Sequence, residues 1–259
     1  MPPFVTCLCP TFHRSRLLAN ALACFYAQDY PVDRRELIIL DDGNDYEYQC
    51  SAKNGTQWQL YSLADRCKSL PEKFNAAAYH ANSETQIFMV WEDDDCELGH
   101  HISAHVAAME SIRTKPWSEF ECFSKPSTVL STYPGHVVQE NAAGRFHASI
   151  AMTRALFNRA GGWPITKRAD FDQQCMSVMA QAAGPAGCVD PCRFAPPSYC
   201  FRYGSTQAYH GQHFMRSPDD EEWYDRVPRQ PGNRDLVLYP EFDAETKAVY
   251  ASHSIPAPV

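Results

Sequence analysis

Five apolar residues, Ile87-Phe88-Met89-Val90-Trp91, run directly into four consecutive carboxylates, Glu92-Asp93-Asp94-Asp95. The apolar run is short and lacks helical spacing, so it reads as a buried strand. The acids then fall where that strand leaves its sheet. Four adjacent like charges repel, and something must offset them. A hard divalent cation held by carboxylate oxygens is one offset, and a solvated acidic turn is the other. The same design occurs earlier, where Glu36-Leu37-Ile38-Ile39-Leu40 ends in Asp41-Asp42-Gly43.

The stretches around these runs specify how the strands connect. Phe4 to Cys9 is a buried strand that stops at Pro10-Thr11, where proline removes a ladder donor. Leu17, Leu18, Ala21, Leu22 and Phe25 recur at helical spacing within 16–28. Strand, helix, strand in this order predicts a βαβ unit and a parallel sheet. In such sheets ligands bind beyond the carboxyl ends of the strands, which puts Thr11, Asp41, Asp42 and the acidic run on one edge. Trp58–Ser62 reads as a further strand, Leu70–Ala81 as a helix with Pro71 in its first turn, and Gly99–Arg113 as another helix. Residues 1–115 form an alternating α/β half.

From Pro116 the pattern changes. Strands are expected at Phe120–Phe123, Thr128–Ser131, His136–Gln139 and Phe146–Met152. A short helix follows at Arg154–Ala160, then a Gly161-Gly162-Trp163-Pro164 turn, a helix over Asp170–Ala183 and a late strand at Tyr199–Tyr203. Residues 116–259 are the second half of the same domain.

Composition narrows the class. The 259 residues are 44% hydrophobic and 21% charged, as in a globular protein, and no apolar run approaches a membrane span. The net charge of −8 argues against a uniformly basic nucleic-acid binder but leaves room for a local basic groove. Eleven scattered cysteines, several inside apolar strands, read as reduced thiols of a cytoplasmic protein. Cys188 and Cys192 with His210 and His213 have loose, proline-interrupted spacing, a poor match to structural zinc.

Four motifs in order carry a resemblance to the family 2 glycosyltransferases. These are Val5-Thr6-Cys7-Leu8-Cys9-Pro10-Thr11-Phe12-His13-Arg14, Glu36 to Gly43, Val90-Trp91-Glu92-Asp93-Asp94-Asp95, and Ala160-Gly161-Gly162-Trp163 followed by Ala169-Asp170-Phe171-Asp172. The resemblance covers residues 4 to about 205. It implies the α/β GT-A fold: a Rossmann-like, mostly parallel central sheet flanked by helices, with a smaller acceptor-side β region. It implies a metal-dependent inverting hexosyltransferase that moves a sugar (glucose or a relative) from a UDP-sugar to an acceptor hydroxyl, with Mn²⁺ or Mg²⁺ as cofactor.

Carried over residue by residue, the resemblance assigns Pro10, Thr11, Phe12, Arg14, Asp41, Asp42, Lys73, Asn75, Glu92 and Asp93 to the nucleotide sugar. Asp94 and His210 would hold the metal, with His213 as the competing histidine. Asp170 would be the catalytic base, and Gly162, Trp163 and Asp172 would face the acceptor. Two positions depart from the family pattern: Glu92 stands where an Asp is usual, and Ala169 where an acid is usual. The acidic motif also admits an Asp93/Asp95 register.

The acceptor is open between a saccharide and a hydroxymethylated base in DNA, as in phage-type DNA glycosyltransferases. Lys167, Arg168, Arg202, Arg216, Arg226, Arg229 and Arg234 are the residues that would track DNA phosphates, and Asp219-Asp220-Glu221-Glu222 argues against them. The alternative from another class is a catalytically silent nucleotide-sugar-binding protein, which the two departures would suit.

Overall fold

In the computed structural model the alternation forms along the first half. The elements are β1 (Val5–Thr11), α1 (Ser15–Tyr26), β2 (Arg35–Asp41), β3 (Gln49–Ser51), β4 (Gln57–Ser62), α2 (Leu70–Tyr79), β5 (Ile87–Val90), β6 (Cys96–Glu97) and α3 (His101–Glu110). The second half adds β7 (Phe123–Ser124), β8 (Thr128–Tyr133), β9 (His136–Asn141), β10 (Ala151–Thr153), α4 (Arg154–Ala160), α5 (Phe171–Ala183), β11 (Cys188–Val189), β12 (Tyr199–Arg202) and α6 (Ala244–His253). The structure describes residues 1–51, 57–133, 136–203, 224, 234 and 236–253.

The main sheet has the order β11-β7-β10-β5-β1-β2-β4-β3. Its centre, β5-β1-β2-β4, is parallel, with Leu8 opposite Val90 and Thr11 opposite Asp41. The carboxyl ends of β1, β2 and β5 therefore share one edge. Strands β10 and β3 run antiparallel to their neighbours β5 and β4, so the whole sheet is mixed. Because β7, β10 and β11 come from beyond residue 115, the two halves of the chain build one sheet. A second, smaller sheet has the order β6-β12-β8-β9.

Side-chain alternation explains the apolar runs of the central strands. Val5, Cys7, Cys9, Leu37, Ile39, Ile87 and Met89 pack with Leu18, Leu22 and Phe25 of α1 and Ile102 and Met109 of α3. The intervening Leu8, Ile38, Leu40, Phe88 and Val90 pack with Phe74 and Ala77 of α2, Leu156 of α4 and Met179 of α5. Helices cover both faces, so neither set can be polar. Local signals set the helix ends. Ser69 caps α2 by accepting from Glu72 N at 3.3 Å, and Thr153 caps α4, which stops at Gly161 in the left-handed conformation (φ 80°).

Three expectations change. The run Phe146–Met152 is not one strand: a 3₁₀ turn at His147–Ser149 interrupts it, and pairing begins at Ala151. The run is apolar because it is buried, and the turn directs His147 into the interior. Of the strand expected at Phe120–Phe123 only Phe123 pairs, together with Ser124 beyond it; Phe120 instead joins the core with Trp117. The C-terminal region, without a clear pattern in the sequence, contains α6. Val249 of that helix is buried, and the Tyr250 hydroxyl donates to Glu97 O at 2.5 Å. All eleven cysteines are free.

Two histidines of α3 are buried in neutral form. His105 Nδ1 lies 2.8 Å from Ser124 Oγ, and His101 Nδ1 lies 2.9 Å from Ser198 Oγ. Burial pushes the His105 imidazole down to about 3, and burial with the neighbouring His105 and His100 also lowers His101. In the unfolded chain a histidine takes its proton near pH ~6.5. Between that pH and the folded value the unfolded state binds more protons, so stability is full above it and falls as pH drops through the window. We expect His105→Asn, which cannot ionise there, to lessen the loss of stability between pH 7 and pH 5 by about 2 kcal/mol relative to wild type. Denaturant titrations at the two pH values measure this.

Candidate active site at the carboxyl edge of the sheet

The acidic run leaves β5 and turns inward rather than into solvent. Asp93, Asp94 and Asp95 are 2%, 3% and 0% exposed, which removes the solvated-turn reading. Each is met from a different part of the chain. Asp93 accepts from Thr11 Oγ1 at 2.7 Å and from Arg14 Nη1 at 2.8 Å. Asp94 accepts from the same Arg14 nitrogen at 3.0 Å. Asp95 accepts from the Tyr199 hydroxyl and, at 3.1 Å, from the backbone N–H of Arg202. Burial, with Asp95 nearby, raises the Tyr199 phenol, so it stays a donor. Burial also raises Asp93, against the lowering effect of Arg14.

The converging acids combine the Glu92/Asp94 register with Asp95 of the other. Carboxylate oxygens of Glu92, Asp94 and Asp95 lie within 4.8 Å of one another, whereas Asp93 is turned to Thr11 and Arg14. Three oxygen donors from one loop suit a hard divalent cation. The bonds that Tyr199 and Arg202 make to Asp95 leave lone pairs on its oxygens and fix their direction. His210 and His213, the candidate late ligands, lie outside the described residues.

Among the residues expected at a nucleotide, Lys73 is 2% exposed and pairs with Asp42 Oδ1 at 2.5 Å while also donating to Thr11 O. It is an internal counter-ion rather than a solvated helix charge. Asp42 Oδ2 accepts from Cys67 N at 3.1 Å and from the Tyr224 hydroxyl at 2.8 Å. The Arg66 guanidinium lies 4.3 Å from the Phe12 ring centroid and 4.1 Å from that of Tyr224, stacked over both. Asp41 accepts from Gly43 N, Asp45 N and Ser62 Oγ at 2.5–2.8 Å, so it closes its own loop. Pro10 is buried within β1. Thr11, Phe12, Arg14, Asp42 and Lys73 thus come together, while the Asp41 oxygens are taken up by Gly43, Asp45 and Ser62.

The Gly-Gly-Trp turn, expected to face an acceptor, is held by bonds between distant segments. Asn75 was expected at the nucleotide, but it grips the Gly-Gly-Trp turn. Its Nδ2 donates to Trp163 O and its Oδ1 accepts from Trp163 N, both at 2.9 Å. Gly162 has φ 80°, and a Cβ there would meet Asn75 Oδ1 at 2.5 Å, so both conformation and space require glycine. Trp163 is 1% exposed and stacks on Phe74, which makes it core rather than an acceptor surface. Its indole N–H donates to His147 Nε2 at 2.8 Å. An indole only donates, so neutral His147 carries its proton on Nδ1, 3.4 Å from Glu92 Oε1. Burial pushes this imidazole down to about 4, which keeps it neutral.

Asp170 sits at the start of α5. Arg168 Nε and Nη2 clamp its two oxygens at 3.0 Å each, and Gln174 Nε2 donates at 2.7 Å. The Arg168 bonds hold this carboxyl below the usual range, so it is ionised. Asp172, half-buried, accepts from Gln173 N at 2.8 Å.

Sequence reasoning missed Arg66, Tyr199 and Tyr224 and gave His147 no role. Arg66 and Tyr224 fall in stretches without periodic signal, and Tyr199, though at the start of an expected strand, has its partner Asp95 far along the chain. Of the basic residues, Arg202 is 3% exposed and paired with Asp243 and Glu245 at 2.7 and 2.8 Å, so it is not available to a ligand. Arg216, Arg226 and Arg229 lie outside the described residues, and Arg234 is exposed. Cys192 Sγ lies 3.3 Å from Thr128 O.

No family model matches the sequence, and no curated protein matches it. Solved structures do. S. aureus TarS 1–349 in complex with UDP-GlcNAc superposes with a TM-score of 0.60 at 14% identity, covering 84% of this chain and 63% of that one. Mannosyltransferase PcManGT from Pyrobaculum calidifontis, in complex with GDP-Man and Mn²⁺, superposes with a TM-score of 0.53 at 15% identity, covering 81% and 59%. The chain has the GT-A fold. It spans less than two thirds of the length of either GT-A relative. Among the described residues no helix is long and apolar enough to cross a membrane.

If the Tyr199 hydroxyl aims Asp95, Tyr199→Phe should weaken Mn²⁺ binding at the GT-A acidic loop about tenfold. Calorimetric titration with Mn²⁺ measures the change, and circular dichroism checks that the fold is kept.

Proposed function

We propose that the protein is a metal-dependent glycosyltransferase that takes a nucleoside-diphosphate sugar, of the UDP-sugar type, and transfers the sugar to an acceptor hydroxyl. One observation carries this reading. At the carboxyl edge of a parallel sheet, three carboxylate oxygens of Glu92, Asp94 and Asp95 converge within 4.8 Å beside Thr11, Arg14 and the Lys73–Asp42 pair. The GT-A relatives with UDP-GlcNAc, and with GDP-Man and Mn²⁺, support the same ligand class.

A divalent cation, Mn²⁺ or Mg²⁺, held by Glu92, Asp94 and Asp95 supplies positive charge to the diphosphate leaving group. Asp42, with Lys73 fixing one oxygen and Tyr224 the other, would meet the nucleoside, beside the Arg66 guanidinium stacked over Phe12 and Tyr224. Asp170 accepts the proton of the acceptor hydroxyl as the new C–O bond forms and the sugar–phosphate C–O bond breaks, its electron pair leaving with the diphosphate. Arg168 keeps Asp170 ionised but weakly basic, so accepting that proton requires the clamp to loosen. The family resemblance implies inversion at the anomeric carbon.

A saccharide hydroxyl is the acceptor that fits without further assumptions. A DNA acceptor would draw on basic residues for phosphate contacts, and Arg202 is committed to α6.

Release of UDP or GDP should be detected in a screen of UDP-glucose, UDP-GlcNAc and GDP-mannose with saccharide acceptors, and a chelator should abolish it. Asp170→Asn should reduce turnover at least a thousandfold while UDP affinity in Mn²⁺ stays within threefold, at orders of magnitude usual for a lost general base. Unchanged turnover in Asp170→Asn would remove Asp170 from the base role. No release with any donor, together with intact UDP binding, would favour the silent binding protein.

A further inference from the structure

Arg14 occupies an unusual place in the acidic loop. It stands just before α1 at its N-cap and makes no side-chain cap bond there. Its Nη1 instead bridges two carboxylates, Asp93 Oδ1 at 2.8 Å and Asp94 Oδ2 at 3.0 Å. The two acids are almost fully buried, while the arginine side chain keeps 22% exposure. One nitrogen with a positive charge therefore does for Asp94 what a cation bound there would do. Asp93 is also held by Thr11 Oγ1, so it keeps a partner when Arg14 leaves. Asp94 has a different alternative partner, because its carboxylate is one of the three that converge with Glu92 and Asp95.

We propose that Arg14 couples metal binding to nucleotide binding, an inference that rests on the glycosyltransferase reading above. Without donor, Arg14 is the counter-ion of Asp94. A divalent cation entering the carboxylate triad takes the Asp94 oxygen and repels the guanidinium. A long, partly exposed side chain on the ligand edge can then swing to the nearest new negative charge, the diphosphate of the donor. Arginine suits this exchange because its planar fork binds carboxylate and phosphate oxygens alike. Metal alone must displace Arg14 with no new anion to receive it, so it binds weakly. Metal and diphosphate together satisfy all the charges. The two affinities must then strengthen each other by one common factor.

The test is titration of Mn²⁺ alone, of UDP alone and of each in the presence of the other, on wild type, Arg14→Gln and Arg14→Lys. In wild type, UDP should tighten Mn²⁺ binding, and uridine, which has no diphosphate, should not. Arg14→Gln removes the competing charge, so Mn²⁺ alone should bind about tenfold tighter, the factor that loss of one charge-assisted hydrogen bond gives. The UDP–Mn²⁺ coupling factor should shrink by at least as much. Arg14→Lys keeps the charge and should bind Mn²⁺ alone within threefold of wild type. A purely structural role for Arg14 predicts weaker Mn²⁺ binding in Arg14→Gln, and equal or weaker binding overturns the proposal. A wild type that binds both Mn²⁺ and UDP while Arg14→Gln behaves alike removes only the role of Arg14. A wild type that binds neither removes the glycosyltransferase reading and this inference with it.

Discussion

The structure depends on desolvated carboxylates at the end of β5. Asp93, Asp94 and Asp95 are taken out of water at a point where an unpaired buried charge would cost several kcal/mol. They are tolerated because donors arrive from the rest of the chain. Thr11 and Arg14 come from the β1–α1 connection, and Tyr199 and the Arg202 backbone come from β12. His147 comes from the turn before β10 and reaches Glu92. Supports for these supports lie further out. Arg202 is anchored by Asp243 and Glu245 at the start of α6, and Tyr250 of the same helix binds the backbone beyond the acidic loop. The C-terminal helix thus bears on the site without touching a ligand.

The two sides of the site are built differently. On the acceptor side, Asn75 locks the backbone of Trp163, Trp163 bonds His147, and His147 meets Glu92, a continuous chain from α2 to the acidic loop. Such a chain favours a fixed geometry, since each donor has one acceptor and its central members, Trp163 and His147, are buried. On the nucleotide side the charged groups are paired with one another: Lys73 with Asp42, and Arg14 with Asp93 and Asp94. A ligand that brings charge there exchanges partners with existing groups. Arg168 and Asp170 at the start of α5 are paired in the same way.

Much of the fold could be read from local pattern. The apolar runs of β1, β2 and β5 were legible because both sheet faces are covered, and the buried polar exceptions Thr6 and Glu36 bond each other at 2.7 Å; β4 shows instead in the alternation of Trp58 and Leu60. The α4 bounds, Arg154 to Ala160, were legible because Thr153 and Gly161 mark both ends. The pieces missed were β3, β6 and β11, two or three residues each, too short to show a period. The broken strand at Phe146–Met152 misleads for the opposite reason. Its residues are uniformly buried, and burial alone does not distinguish a strand from a 3₁₀ turn in the core.

For the site, the chain alone establishes the edge. Strand ends that carry Thr11, Asp42 and the acidic run must meet there, because consecutive βαβ units are parallel. It does not establish what each side chain does on that edge. Asp41, Asn75 and Trp163 have the right residue types for ligand contacts, yet all three are engaged by the protein's own backbone and core. Which oxygen meets which donor depends on partners far apart in sequence, 82 residues for Thr11 and Asp93 and 104 for Tyr199 and Asp95. Local pattern carries no information at that range. Folding brings those partners into contact, and only then do Glu92, Asp94 and Asp95 separate from Asp93 as the acids able to share a cation.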